Sequence, residues 1–158
     1  MSLVPLFNWL YATTIGETIR DSTWMFPVIE ALHLIGLGLV AGAVLLVDLR
    51  LLGVGLNRQP VAQLSANAQP LFLGALVLMV STGFPLFMSE SIKALYSFAF
   101  WIKMTCLLLV LIFTFTVRRR VIQNGISVER PDLARWTAIV SLALWFGVAW
   151  GGRWIGFS

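Results

Sequence analysis

Charge is scarce in this sequence. Eleven Lys and Arg and seven Asp and Glu make up 11% of the 158 residues, against the ~25% usual for a chain that must cover itself in water. Histidine and cysteine are scarcer still, with one of each, His33 and Cys106. A lone cysteine excludes an intrachain disulfide and a Cys-x-x-Cys motif. Set in an apolar run, Cys106 reads as a small buried hydrophobe. One histidine excludes the four-His array that would hold two stacked haems within one chain. The net charge of +4 comes with no basic stripe or nucleic-acid motif, so no nucleic-acid partner is expected. A basic segment ahead of the first apolar stretch and a small-residue cleavage site after it are both missing. The first span is therefore expected to act as its own membrane signal.

What the chain does have is length in apolar runs. Hydrophobic residues make up 59% of it, with a mean hydropathy of +0.89. About 20 apolar residues cross a bilayer as a helix, and four such stretches are present, at about 24–52, 71–88, 98–117 and 133–154. The expected fold is all-α, one domain over residues 1–158, an integral membrane bundle of four transmembrane helices. Residues 3–19 are too polar to span and read as a short interfacial helix with Trp9 and Tyr11 at headgroup depth. Residues 53–70 carry Gly, Asn and Pro and read as a polar connection. Arg118–Arg120 reads as the stop of the third helix.

Basic residues set an orientation. Arg50, Arg58, Arg118, Arg119, Arg120, Arg130 and Arg135 fall on the side of the 1–2 and 3–4 loops, against Arg20, Lys93, Lys103 and Arg153 on the other. The richer side is expected in the cytoplasm, with both termini in the periplasm of a bacterial inner membrane. Asp48 and Arg50, ending the first span, are expected to join Arg135 in a structural charge cluster. Gly38 and Gly42 form a G-x-x-x-G that permits close helix approach, within the chain or between chains. A homo-oligomer or a periplasmic redox partner is the expected company.

Ionisable groups inside spans are costly and usually mark a site. Glu30 and His33 lie three apart on one helix face, with Gly36 a turn further on. Lys103 on the third helix and Arg153 on the fourth reach a similar depth. A haem b calls for such a set: an imidazole as axial ligand with an acceptor for its other ring N–H, a glycine making room for the porphyrin, and cations for the propionates. The expected cofactor-binding residues are thus His33, Glu30, Gly36, Lys103 and Arg153. His33 is the metal ligand, Met79, Met88 and Met104 are candidate second ligands, and there is no catalytic group. Copper transport or resistance, and a cofactor-free structural subunit, remain the alternatives.

The run ALHLIGLGLVAGAVLLVDLRLLG (31–53) and the W-I-K at 101–103 resemble the bacterial superfamily of CopD-type copper-resistance proteins and membrane protoporphyrinogen oxidases. The ending GGRWIGF (151–157) is similar to a family of small four-helix bacterial membrane proteins. By this resemblance His33 would bind haem b, with Arg50 and Lys103 in supporting roles. The oxidase-like Leu-Pro-Arg ending the first helix is replaced here by Val47-Asp48-Leu49-Arg50. The expectation is therefore a haem-binding electron carrier or membrane anchor for a redox partner, not a stand-alone catalyst.

Overall fold

A computed structural model describes residues 3–55 and 59–155. Arg58 lies outside the described residues. Four helices are long and apolar enough to cross a membrane: α3 (Met25–Leu52), α4 (Val61–Ser89), α6 (Phe98–Gln123) and α8 (Pro131–Ile155). Around them lie α1 (Val4–Tyr11), α2 (Thr14–Asp21), α5 (Ser91–Tyr96) and the single turn α7 (Ile126–Glu129). The chain is an integral membrane protein with an all-α, four-span fold. In hydrocarbon a backbone N–H has no water to turn to, so apolar stretches of this length can only close their hydrogen bonds internally.

Between 17% and 33% of the most apolar stretch of each span is buried by the rest of the chain. The outward faces carry large apolar groups such as Val77, Leu108 and Phe146, as a membrane-embedded bundle requires. The spans pack in the order α4–α3–α8–α6, each against the next. The ends of this row, α4 and α6, meet through aromatic side chains: Phe87 stacks on Phe100 with centroids 5.3 Å apart, and Phe72 tilts against Phe115 at 6.2 Å.

Three boundaries differ from the sequence-based expectation. First, α4 begins at Val61, ten residues before the apolar run. Val61, Leu64 and Ala68 pack on Val47, Leu51, Ile122, Ala134 and Ala138, an i, i+3, i+7 stripe that outweighs Pro70 inside the helix. Second, α6 passes through Arg118–Arg120 to Gln123, with a π turn at Thr114–Arg118. Third, residues 4–21 form two short helices. They are tied to the end of α4 and to α5. Phe7 is buried, the Ser91 hydroxyl donates to the Phe7 carbonyl at 3.0 Å, and Arg20 lies 3.8 Å over the Tyr11 ring while donating to the Tyr11 and Ser89 carbonyls. Trp9, Trp24, Trp101, Trp150 and Trp154 are all exposed at this end, as an aromatic belt requires.

Within the chain, the glycines at the close helix approach between α6 and α8 are a different pair from Gly38 and Gly42. A Cβ at Gly151 would lie 3.0 Å from the Ala99 carbonyl oxygen and from Lys103 Cβ, and one at Gly147 would lie 2.7 Å from Cys106 Sγ. Gly147-x-x-x-Gly151 is thus the close-approach motif, used between α8 and α6. Gly38 and Gly42 have nothing within 4 Å of a Cβ and face outward. Gly151→Ala should therefore destabilise the bundle by about 1–3 kcal/mol through overpacking against α6 backbone. Gly38→Ala and Gly42→Ala should leave it unchanged or slightly firmer. Thermal unfolding of the three variants in one detergent checks this ordering.

Candidate functional site

His33 lies at the contact between α3 and α4. Two glycines make that approach possible, one from each helix. A Cβ at Gly36 would lie 3.3 Å from the Met79 amide nitrogen, and one at Gly83 would lie 3.0 Å from His33 Cε1. The imidazole therefore rests on the α4 backbone. Its Nδ1 is 3.1 Å from Thr82 Oγ1. The Thr82 hydroxyl has one proton, and the Leu78 carbonyl takes it at 2.7 Å. With the proton there, Thr82 accepts from Nδ1–H in the tautomer whose Nε2 carries the lone pair. His33 is half-buried, so this lone pair is not sealed into the core.

Lys103 comes from α6 and runs along the glycine face of α8. A Cβ at Gly152 would lie 3.6 Å from its Nζ. Its ammonium is near enough to His33 to interact coulombically. Two of the expected site residues, His33 and Lys103, are thus brought to one layer from different helices.

The others are not gathered in the expected way. Glu30 is exposed on α3, and the ring Nδ1 pairs with Thr82 rather than with Glu30. Sequence reasoning misses Thr82 because a threonine four residues after Leu78 reads simply as a helix hydroxyl bonded back to its own turn. Gly36 does not leave room for a porphyrin, because α4 fills the space beside it. Arg153 is exposed near the end of α8. Of the candidate second ligands, Met79 and Met88 are buried and Met104 faces outward. Among the described residues no three His, Cys, Asp or Glu side chains come together as a metal site.

A second polar cluster lies toward the other end of the bundle. Asp48, fully buried on α3, accepts from Arg118 Nε at 2.8 Å. The expected partners are elsewhere: Arg50 donates instead to the Gln59 carbonyl at 3.0 Å. Ser141 on α8 stands beside the carboxylate. Asp48 Oδ2, Arg118 Nη2, Ser141 Oγ, Trp145 Nε1 and Thr114 Oγ1 are buried with no hydrogen-bond partner. A π turn inserts one extra residue into a helix and rotates the residues beyond it by about 100°. Here it spans Thr114–Arg118, and Arg118, its last residue, meets Asp48 inside the bundle.

The fold and these two clusters define a class: a small four-span membrane protein with an ionisable group from each of several helices held inside the bundle. Residues 6–158 match the model of a family of unknown function, DUF6644, and the chain belongs to that family. No curated protein and no solved structure matches it.

Proposed function

We propose that this is a small haem-b-binding protein of the bacterial inner membrane, working in electron transfer or as a membrane anchor for a redox partner. The observation that carries this reading is the state of His33. Its Nδ1 lies 3.1 Å from Thr82 Oγ1 on a half-buried ring, and the tautomer we propose has Nδ1–H donating there and the lone pair on Nε2. Metal-ligating histidines are characteristically fixed this way, by a second hydrogen bond that sets tautomer and ring angle. His33 would hold the iron, and Lys103, from the facing side of the bundle, would meet a propionate. The haem would supply one-electron redox chemistry. The chain's own part is to orient the imidazole, keep water from the ring through the α3–α4 contact, and offset the propionate charge. We also propose kinship with the CopD-type and protoporphyrinogen oxidase proteins, on the residues at 31–53 and 101–103, and that kinship would imply the same reading. The absorption spectrum of gently purified protein from haem-replete cells tests it, with a Soret band expected. Copper handling would need several ligands to converge, and among the described residues no three His, Cys, Asp or Glu side chains do.

The orientation we propose places the Arg118–Arg120 end in the cytoplasm and both termini in the periplasm, because basic loops resist translocation. Alkaline phosphatase fused after Ser158 should be active in a Gram-negative host, and the same enzyme fused after Gln123 should be silent. The reverse pattern would invert the topology.

A further inference from the structure

Two of the unpartnered groups, on Thr114 and Arg118, belong to residues that line a groove with a chemistry of its own. A cavity of ≈ 70 Å³ opens between α4 and α6 at the Arg118 end, and its polar lining is Ser65, Gln69, Thr114, Arg118, Arg119 and Gln123. All of these can donate a hydrogen bond, and among the described residues no carboxylate lines it. Thr114 and Arg118 are both more than nine-tenths buried. Each contributes an atom with no partner, Oγ1 and Nη2. Asp48 occupies only the Nε of Arg118, so the guanidinium keeps further N–H groups unengaged. With the Asp48 and Arg118 charges cancelling, Arg119 leaves the lining net positive.

We propose that this groove binds a phosphate oxyanion, supplied as the headgroup phosphate of a membrane phospholipid. Three features argue for that source. The first is depth. From Phe98 to Arg118 α6 rises about 30 Å, the thickness of the hydrocarbon core. With exposed Tyr96 and Trp101 at one interface, Arg118 and Arg119 arrive at the phosphates of the other. The second is the gradient along the walls. Ser65, Gln69, Arg119 and Gln123 lie toward the loop ends of α4 and α6, while Val44, Phe72 and Phe115 line the part nearer mid-membrane. Polar at one end and apolar at the other is the profile of a headgroup and the start of its acyl chains. The third is geometry. A planar guanidinium with unspent donors matches the oxygens of a phosphate, and basic pockets between transmembrane helices are suited to lipid headgroups.

Delipidated protein titrated with phosphatidylglycerol and followed by native mass spectrometry is expected to take up one lipid with higher affinity than the rest. The double variant Gln69→Leu, Arg119→Leu is expected to bind it roughly tenfold more weakly. Both side chains are exposed, so its unfolding temperature should match that of the parent. Diacylglycerol with the same tails and no phosphate should not compete. Inorganic phosphate that binds alone and displaces the lipid would keep the oxyanion site and reassign its source to free phosphate. Equal binding of diacylglycerol by the parent protein, or unchanged lipid affinity in the double variant, would overturn the proposal.

Discussion

Replacing His33 with Ala should remove the Soret band of the purified protein while its helical circular dichroism stays intact. The fold has little to lose at this position. The ring makes one side-chain hydrogen bond, to Thr82, and the α3–α4 contact also rests on Gly36 against the Met79 and Ala75 backbone. The iron, by contrast, would lose its axial ligand outright. Two graded variants separate ligation from packing. Thr82→Val removes the acceptor for Nδ1–H and should weaken haem binding roughly tenfold to a hundredfold, with the reduction potential shifting as the ring becomes less basic. Lys103→Gln should weaken haem retention less than His33→Ala, because a propionate contact near water is partly screened. A wild-type protein without Soret absorption would make His33–Thr82 a clamp between α3 and α4 and hand the lead to the cofactor-free subunit. Haem retained by His33→Ala would move the ligand elsewhere, with Met79 and Met88 the next to replace.

Much of this architecture is legible in the residues alone, and the reason is the solvent. Residues 31–47 are apolar except for His33, and in lipid such a run has one way to satisfy its backbone. Hydropathy reports where hydrocarbon lies, not where a helix ends. That is why it misplaces the start of α4: residues 61–70 are polar enough to leave the membrane, yet Val61, Leu64 and Ala68 still have a core to pack against. The site is half legible. A histidine inside a span is conspicuous, and so is a lysine, but their neighbours depend on rotation about each helix axis. At about 100° per residue, Gly38 and Gly42 point well away from His33, and spacing alone does not say whether lipid or protein meets them. The Asp48 partner is hidden for a related reason. Counting α-helical turns from Phe98 does not place Arg118, because Arg118 is the last residue of the π turn at Thr114–Arg118.

That hidden pair should dominate the stability of the bundle. Asp48 is fully buried and Arg118 nearly so. Removing one member leaves the other charge stranded in a low-dielectric interior. Arg118→Met should cost about 3–5 kcal/mol, read as a lower midpoint in chemical or thermal unfolding in detergent. Asp48→Asn should cost less, because Arg118 can swing its long stem toward the headgroups, whereas a carboxylate on a short side chain cannot leave the core. The double variant Asp48→Asn, Arg118→Met should recover most of the loss, since both desolvation penalties vanish together and an amide beside Ser141 asks for less than a carboxylate. The coupling between the two changes then measures how far the charges depend on each other. Equal and additive effects of the two single changes would mean that water or lipid already screens the pair. The groove beside Arg118 would then be wetter than its buried, unpartnered atoms imply.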